Sequence, residues 1–287
     1  MPELPEVEVV KKSLENKLKN LTIKRVNIIN NKLRYKIDSK QFNKITNQKI
    51  TSIQRRSKYL LINLNKNYTI LTHLGMTGKF FIVDNKKKYK TSFYYPLKKN
   101  DKKHDHLTFF FNNKIKLIYN DVRKFGFIKI FLSKEVFNSV HLISLGPEPL
   151  SNDFNLNYFN KYILNKKKKV KDLLMNQKFV AGLGNIYCNE VLFLCRIRPD
   201  KSVKSINKKE IKNIIKFTKK ILKEAILLGG SSIKNFSSTE GQNGKFQQKF
   251  NVYGRDKMSC RRPKCLGNIK KVYTSNRSSF FCPKCQK

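Results

Sequence analysis

The chain has 287 residues, of which 62 are lysine or arginine and 19 are acidic, so its formal net charge is +43 and its pI is about 10.1. This excess of positive charge favours a polyanionic partner, with nucleic acid first and an anionic membrane surface second, although a composition rich in Lys, Asn and Ile accounts for part of it. The sequence has no apolar run of about 18 residues, which excludes a membrane-spanning helix, and its acidic start lacks the pattern of a signal peptide. We therefore expect a cytoplasmic protein of about two domains with reduced cysteines.

The first predicted element is a helix over residues 3–19. Val7, Val10, Leu14 and Leu18 recur at helical spacing. Pro5 is tolerated because it lies in the first turn, where the missing N–H has no helical partner. The acidic residues of the opening segment MPELPEVE have an ordinary interpretation, since carboxylates are favourable near the N-terminal end of a helix dipole.

Residues 21–133 are predicted to form strands. Short β-rich runs alternate with polar turns: YLLINL, YTILTHL, HLTFFF, KIKLIYN and FIKIFL. This pattern indicates a mostly antiparallel sandwich or barrel. The segment SLGPEPLSNDF (144–154) contains two prolines and a glycine and indicates a domain junction. We predict a sandwich domain over 1–133, a linker over 134–150, a helical domain over 151–251 and a separate small domain over 252–287.

The periodicity becomes helical after the junction. In residues 208–228 a single face carries the residues Ile211, Ile214, Ile215, Ile221, Leu222 and Ala225. Gly229 and Gly230 are predicted to end this helix. The segment 231–250 is rich in Ser, Gly and Gln and is predicted to be a loop.

Four cysteines cluster at the C-terminal end. Cys260 and Cys265 are separated by four residues, sixteen residues follow, and Cys282 and Cys285 are separated by two. Two such knuckles around a β-hairpin supply four thiolates for one tetrahedral, structural zinc ion. Arg277 is placed near the end of the second hairpin strand, where an arginine can contact phosphate. Cys188 and Cys195 lie in the helical region and are interpreted as packed core thiols.

The N-terminal segment also permits covalent chemistry. Removal of Met1 before the small Pro2 leaves a secondary α-amine, which titrates near pH ~8 and has a neutral fraction at physiological pH. Attack of that amine on a sugar C1′ gives an iminium cation, an electron sink. Glu3 is placed to act as a general acid on the sugar. Glu6, one turn further on, is expected to order the terminus.

A series of motifs then carries a resemblance to a known family. They are, in order, MPELPEVE, QRRSKYLL (54–61), HLGMTG (73–78), KHDH (103–106), DVRKFG (121–126), LGPEPL (145–150), GLGNIYCNE (182–190), VYGR (252–255) and the four-cysteine knuckle. Together they resemble bacterial formamidopyrimidine-DNA glycosylase over nearly the whole chain. The resemblance implies an α+β fold with an N-terminal antiparallel β-sandwich and flanking helices, a helix–two-turn–helix domain and a four-cysteine zinc-finger β-hairpin.

The resemblance also implies an activity. Such an enzyme removes oxidised purines, including 8-oxoguanine and formamidopyrimidines, from double-stranded DNA and then nicks the abasic site by β,δ-elimination. Matched by motif, Pro2 is the Schiff-base nucleophile, Glu3 the general acid, Lys58 an aid to β-elimination that holds a phosphate, and Arg277 an aid to δ-elimination. The partner is expected to be DNA with oxidised purines or abasic sites, bound by a monomer associated with the nucleoid.

The remaining matched positions are expected DNA contacts. Extruding a base leaves a void that protein side chains must fill, and the matched residues are Met76, Arg123 and Phe125. Without the family, Met76 and Phe125 would be interpreted as core residues. His104, Lys166 and Asn185 match further DNA contacts, with Asn185 at a glycine-rich helix start that favours phosphate. Glu190 matches a helix-stabilising acid.

Two departures and two alternatives remain. The first cysteine knuckle has four intervening residues where two are commoner in the family, and Lys245 stands where the lesion-capping loop often has an aromatic residue. The departure at Lys245 therefore bears on lesion preference and leaves the residues matched to glycosylase activity in place. One alternative is an endonuclease-VIII-type relative that acts on oxidised pyrimidines, although that branch usually begins PEGPE. The other is a zinc-ribbon DNA-binding protein without catalytic activity.

Overall fold

The computed structural model describes residues 1–84, 87–91, 101–231 and 246–287. The chain forms two compact units. The first contains residues 1–143 with 229–231, and the second contains residues 144–228 with 246–287. Across these described ranges, no helix combines the length and the apolar character needed to cross a membrane.

Helix α1 (Leu4–Leu18) forms as the spacing predicts, with Glu3 at its N-cap and Lys19 at its C-cap. The four residues of the predicted apolar stripe are buried in the core of the first unit. Pro5 lies in the first turn of the helix. The short helix α2 (Ser39–Asn43) begins after Asp38, whose carboxylate accepts the N–H of Lys40 at 2.9 Å.

The first unit contains two sheets in which all neighbouring strands are antiparallel. In spatial order the five-stranded sheet consists of β1 (Ile23–Ile28), β7 (Asp105–Phe111), β8 (Lys116–Asn120), β5 (Lys79–Asp84) and β6 (Lys87–Lys90). The four-stranded sheet consists of β2 (Ile50–Arg56), β3 (Tyr59–Leu64), β4 (Tyr68–His73) and β9 (Phe127–Leu132). Each of the five predicted runs forms a strand.

The sandwich core is assembled from rows of apolar cross-strand partners. Ile53, Ile62, Ile70 and Ile130 pair in one row across the four-stranded sheet, and all are buried. β-Branched side chains pack well against such cross-strand neighbours. Burying an isoleucine side chain contributes roughly 1.5–3 kcal/mol, so this row stabilises the sheet.

The second unit is helical. Its helices are α3 (Leu156–Ile163), α4 (Val170–Met175), α5 (Asn185–Cys195) and α6 (Lys208–Leu227). Helix α6 buries its predicted stripe, but Ile215 is only partly buried and Thr218 is fully buried instead. The reason is geometric, because residue 215 lies about 100° around the helix from Ile214, at the edge of the stripe, whereas 218 follows 214 by one turn. Gly229 and Gly230 follow the helix with φ of +78° and +79°.

The C-terminal hairpin is formed by β10 (Lys270–Thr274) and β11 (Arg277–Phe281). The two turn residues, Ser275 and Asn276, have φ of +49° and +59°, as a tight two-residue hairpin turn requires. The predicted position of Arg277 near the end of the second strand is wrong. Arg277 begins that strand and pairs with Thr274, because the turn lies directly before it.

Candidate active site and nucleic-acid interface

The start of α1 is an enclosed acidic site. Pro2 is buried, and Glu3 and Glu6 are 3% and 1% exposed. The Glu6 carboxylate accepts the N–H of Glu3 at 2.9 Å through Oε2. Its Oε1 accepts both the N–H and the hydroxyl of Ser231, each at 2.8 Å. Glu6 therefore holds the N-terminal backbone in one position, at the point where a chain end would otherwise fray.

The α-amino group lies among four charged side chains. Burial lowers the pKa of the amino terminus from its usual 8.0, the carboxylates of Glu3 and Glu6 oppose this change, and the charges of Lys58 and Arg123 add to it. These residues come from α1, the β2–β3 turn and the loop before β9. This amine belongs to Met1, and the predicted nucleophile Pro2 is the buried residue directly after it. A lowered amine pKa increases the neutral, nucleophilic fraction.

Lys58 lies in the turn between β2 and β3 and is 6% exposed. The preceding Ser57 has a φ of +56°. The guanidinium of Arg55 donates to the Ser57 carbonyl oxygen at 2.9 Å and to the Glu8 carboxylate on α1 at 2.7 Å. Arg55 therefore links the turn that carries Lys58 to the helix that carries the acids.

The three predicted void-filling residues are on the surface. Met76 is 39% exposed and Phe125 is 45% exposed, so the interpretation of these two as core residues is wrong. The guanidinium of Arg123 lies 4.5 Å from the ring centroid of Phe125. Exposed apolar side chains beside a cation are suited to contact a base stack and its phosphates.

His104 ends a short 3-10 helix (Asp101–His104) directly before β7 and is partly exposed. A second histidine, which the sequence analysis did not single out, lies in the HLGMTG motif. His73 stacks on Phe127 with ring centroids 5.9 Å apart, and its Nδ1 accepts the N–H of Gly75 at 3.1 Å. It therefore holds the backbone just before Met76.

In the second unit, Asn185 and Lys171 bind one carbonyl group, that of Ser278, the residue after Arg277. Asn185, the first residue of α5, donates through Nδ2 to the Ser278 oxygen at 3.0 Å. The ammonium of Lys171, which is fully buried, donates to the same oxygen and to Ser279 Oγ, both at 2.7 Å. These bonds hold the start of β11, while the Arg277 side chain stays exposed.

Glu190 acts on a loop. It is 1% exposed, and its carboxylate accepts the backbone N–H groups of Asn251, Val252 and Tyr253 at 2.8–2.9 Å and the Asn251 side-chain amide at 3.0 Å. Burial raises the pKa of Glu190, although these donors favour the charged form. Glu190 therefore anchors the segment that leads into the cysteine-bearing region, rather than its own helix.

The four cysteine sulfurs form a compact cluster. All Sγ atoms lie within 4.8 Å of one another, with Cys260 and Cys285 at 3.8 Å and Cys265 and Cys282 at 3.6 Å. Tetrahedral zinc with Zn–S bonds of about 2.3 Å requires sulfurs about 3.8 Å apart, so the four thiols fit the ion. Burial opposes ionisation of Cys282, but the N–H groups of Cys285 and Lys284 hold its pKa below the usual value.

Lys166 is exposed and follows α3. Together with Tyr158, Lys161, Tyr162 and Leu164 it lines a shallow cavity of about 500 Å³. Its ammonium lies 5.8 Å from the ring centroid of Tyr162. Lys245, the predicted departure in the lesion-capping loop, lies outside the described residues. Cys188 and Cys195 are buried, as expected for core thiols.

Family models match both parts of the chain. The model of the formamidopyrimidine-DNA glycosylase N-terminal domain matches residues 1–128, and the model of the formamidopyrimidine-DNA glycosylase H2TH domain matches residues 145–237. The chain belongs to the formamidopyrimidine-DNA glycosylase family. The predicted α+β fold of this family, with its antiparallel sandwich, helical domain and four-cysteine hairpin, is confirmed.

Relatives in the formamidopyrimidine-DNA glycosylase family match along the full chain. The protein of that name from Rickettsia bellii (strain OSU 85-389) is 42% identical over 287 residues, 100% of both chains. Its namesake from Roseobacter denitrificans is 35% identical over 288 residues, again covering 100% of both. These names favour this branch over the endonuclease-VIII-type alternative. As a family member the chain is a DNA-repair glycosylase with abasic-site lyase activity.

Solved structures of formamidopyrimidine-DNA glycosylase include complexes with DNA. The Lactococcus lactis enzyme bound to DNA containing an abasic site is 34% identical, with a TM-score of 0.85 and 99% coverage of each chain. The wild-type enzyme from the same organism, bound to DNA containing N7-benzyl-Fapy-dG, is 34% identical, with a TM-score of 0.85 and 100% coverage of each.

Several supporting residues in this member of the family were missed from sequence. Arg55 and His73 lie inside motifs that the sequence analysis quoted, and Asp121 opens the DVRKFG motif. Lys171 lies in the basic run NKKKKVK, where nothing distinguishes a buried lysine from its solvated neighbours. The available signal was position within a motif, which marks a segment without showing the partners of each side chain.

Proposed function

We propose that this chain excises 8-oxoguanine and formamidopyrimidines from duplex DNA, with the amine of Pro2 as nucleophile, and then nicks the strand by β,δ-elimination. One observation carries the proposal. Partial burial lowers the pKa of the Met1 α-amine, which lies among the charges of Glu3, Glu6, Lys58 and Arg123, and the buried Pro2 follows it directly. An amine, a carboxylic acid and a lysine in one enclosed site are the groups that Schiff-base chemistry on a sugar requires.

In the proposed reaction, removal of Met1 exposes the secondary amine of Pro2. Its lone pair attacks C1′, the C1′–N9 bond breaks, and the electron pair and a proton leave with the purine. The proton taken up by the purine is the one that the amine loses, and protonation of the ring oxygen by Glu3 breaks the C1′–O4′ bond, so that the nitrogen lone pair forms the iminium. Loss of a C2′ proton then expels the 3′-phosphate, and a second elimination expels the 5′-phosphate. Water releases the sugar fragment and regenerates the amine.

The other predicted residues are assigned to DNA positioning in this proposal. Met76, Arg123 and Phe125 fill the void left by the extruded nucleotide. His104, Lys166 and Asn185 contact phosphates, and Asn185 supports this as the first residue of the eleven-residue helix α5. Lys58 holds a phosphate and assists β-elimination, and Arg277 assists δ-elimination.

Zinc is proposed as one structural ion per chain, held by Cys260, Cys265, Cys282 and Cys285. It supplies a tetrahedral cross-link to a hairpin too small to fold alone. A small apolar cluster joins the cysteine-bearing region to helix α5, since Phe193 of α5 packs with Ile269, Phe280 and the thiols of Cys260 and Cys282. We also propose that the protein is a monomer in the bacterial cytoplasm and that it associates with the nucleoid through DNA. The predicted domain boundaries after residues 133, 150 and 251 also remain predictions.

Borohydride trapping tests the proposal. The protein is incubated with a duplex containing 8-oxoguanine opposite cytosine, and the adduct is located by mass spectrometry of the digested protein. We expect a covalent adduct on an N-terminal proline, which reports Met1 removal, the nucleophile and the substrate class together. An adduct formed only with an oxidised pyrimidine would indicate the endonuclease-VIII type. Binding without any adduct would indicate a protein that has lost catalysis.

A further inference from the structure

Asp121 is a fully buried carboxylate in the loop between β8 and β9. It accepts hydrogen bonds from four donors. The Thr77 hydroxyl and the Arg123 N–H (3.3 Å) donate to Oδ1, and the Gly126 N–H (2.8 Å) and the Tyr119 hydroxyl (3.3 Å) donate to Oδ2. Thr77 follows Met76 directly, and Arg123 and Gly126 enclose Phe125. A single carboxylate therefore joins the two loops that carry the three exposed void-filling side chains.

The backbone of Asp121 joins a third segment to the same point. Its N–H donates to the carbonyl oxygen of His104 at 3.0 Å. Its own carbonyl oxygen lies 2.8 Å from Nε2 of the buried His106. The segment with the predicted phosphate contact His104 is thus held to the same residue as the two loops.

Thr77 adds a direct bond between the loops. Besides donating to Asp121, its hydroxyl accepts the N–H of Arg123 at 3.0 Å. The loops also approach closely at a glycine. Gly75 has a φ of +60°, and a Cβ there would lie 2.5 Å from the backbone nitrogen of Gly126. Such contact between backbones leaves little room for one loop to move independently of the other.

We propose that Asp121 and Thr77 are positioning residues that join the Met76 loop, the Arg123–Phe125 loop and the His104 segment into one rigid wedge for extruding a nucleotide. This inference rests on the proposed function. Unstacking and extruding a base costs a few kcal/mol, and side chains on separately mobile loops would yield instead of displacing the stack. The geometry meets this demand because the inserted side chains are exposed while the backbone beneath them is anchored to one buried carboxylate.

The competing explanation is that the hydrogen bonds of Asp121 only stabilise the fold, since any buried carboxylate needs hydrogen-bond donors. Substitutions at Thr77 separate the two. Thr77→Val keeps the shape of the side chain, leaves Asp121 with three donors and removes the bond between the loops, whereas Thr77→Ser retains the hydroxyl. Thr51→Val is the matched control, because the Thr51 hydroxyl makes one exposed hydrogen bond to the Asn63 carbonyl oxygen in the same unit.

The experiment measures single-turnover cleavage on two substrates: a duplex with 8-oxoguanine opposite cytosine, and a single strand with an abasic site. The single strand has no opposing stack to be wedged. For Thr77→Val we expect cleavage of the duplex to slow about fivefold to tenfold, the factor given by loss of one hydrogen bond, with less than about twofold change on the single strand. Thr77→Ser is expected to restore duplex cleavage, and Thr51→Val to match the wild type on both.

Binding to an uncleavable duplex supplies an independent readout. The duplex carries tetrahydrofuran as an abasic analogue, and 2-aminopurine lies beside the base that faces it on the opposite strand. The fluorescence of 2-aminopurine rises when this base is unstacked. Thr77→Val is expected to lower the fluorescence rise at saturating protein. Equal slowing on the duplex and single strand, or an unchanged fluorescence rise, overturns the wedge proposal. A wild type that unstacks the tetrahydrofuran duplex but never cleaves the 8-oxoguanine duplex overturns the proposed function while leaving the wedge supported.

Discussion

At the scale of single residues, several side chains have hydrogen bonds and protonation states that depend on their burial. Glu6 uses both carboxylate oxygens to hold the Glu3 N–H and Ser231. His73 accepts a backbone N–H through Nδ1, which requires a neutral ring with its proton on Nε2. Burial and neighbouring charge decide the protonation of such groups, and their effects can be measured one residue at a time.

Pro2→Gly is expected to lower lyase turnover, because a primary amine forms the iminium less readily than a secondary amine. Pro2 is also the residue before the N-cap of α1, so the variant needs a structural control. We expect its DNA affinity to stay within about twofold of the wild type while borohydride trapping slows. An unchanged trapping rate would contradict Pro2 as the nucleophile.

The stability of the first unit is expected to depend on pH through His73. Burial, together with the charges of Lys58, Arg34 and His141, lowers the pKa of His73 from 6.5 to about 4. Between these pH values the unfolded chain takes up a proton that the folded chain does not. The free energy of unfolding therefore falls as pH decreases from 6.5 to 4, by on the order of 2–3 kcal/mol.

His73→Asn tests this dependence, because the Asn carboxamide oxygen can accept the Gly75 N–H but does not titrate. Denaturant unfolding is measured for both proteins from about pH 4 to pH 8. We expect the two stability curves to run parallel above pH 6.5, the unfolded pKa. Below it, the wild type should lose more stability than the variant. Parallel curves over the whole range would contradict the lowered pKa.

At the scale of elements, helix α5 organises the second unit. Its first residue, Asn185, and its buried Asn189 bind backbone atoms of β11, and Glu190 binds the backbone of 251–253. Side-chain amides therefore hold β11 to the helix, and the Glu190 carboxylate holds the segment that leads into the cysteine-bearing region. The carboxylate and the cysteine cluster can each be tested by substitution.

Glu190→Gln is expected to destabilise the second unit by roughly 2–4 kcal/mol, because a buried amide replaces a carboxylate that accepts four hydrogen bonds and turns a donor toward N–H groups. The control is Glu210→Gln, whose partly exposed side chain caps α6 by accepting the Asn207 N–H at 3.0 Å. We expect that change to cost about 1 kcal/mol or less. Equal losses in thermal or denaturant unfolding would argue against the anchoring role of Glu190.

Metal removal is expected to abolish DNA binding while leaving the sandwich of the first unit folded. Cys265→Ser should likewise reduce the zinc content, measured by elemental analysis, because it removes one of four ligands. Cys195→Ala is the matched control, since that buried thiol lies outside the cluster. If chelation leaves both the circular dichroism spectrum and DNA binding intact, zinc has no structural role here.

At the scale of the whole molecule, the net charge of +43 makes affinity for DNA dependent on salt. Each phosphate neutralised by Lys or Arg releases counterions, so log K falls linearly with log salt. We expect affinity for a tetrahydrofuran duplex to fall about a thousandfold or more between about 50 and 200 mM salt, the behaviour of six or more phosphate contacts. A nearly flat plot would contradict docking dominated by phosphates.

Substitution of single lysines distinguishes the positive charges that contact DNA phosphates from those that do not. Lys166→Ala is expected to reduce the salt slope by about one, because one phosphate contact is lost. Lys40 on α2 is also exposed but matches no family motif, so Lys40→Ala should leave the slope unchanged. Equal effects of the two variants would indicate a diffuse attraction in place of a contact at Lys166.

Local patterns in the sequence were sufficient for helices α1 and α6 and for five strands of the first unit, but they gave no separate prediction for β1, β2, β5, β6 or for helices α2, α3 and α4. Runs such as YLLINL and FIKIFL became strands, and the stripe from Val7 to Leu18 became the buried face of α1. Cysteine spacing predicted the four-sulfur cluster. These features depend on side-chain periodicity and on backbone geometry over a few residues, which the sequence displays directly.

The tertiary structure alone decided which distant residues meet. Thr77 reaches Asp121 across 44 positions, Arg55 reaches Glu8 across 47 and Lys171 reaches Ser278 across 107. It also decided that Met76 and Phe125 are exposed, although both are apolar. The sequence by itself thus determined helices α1 and α6, five strands of the first unit, the cysteine set and the polyanionic partner class. The buried charges and their partners depended on strand register and packing, because a one-residue shift in register turns every side chain to the opposite face.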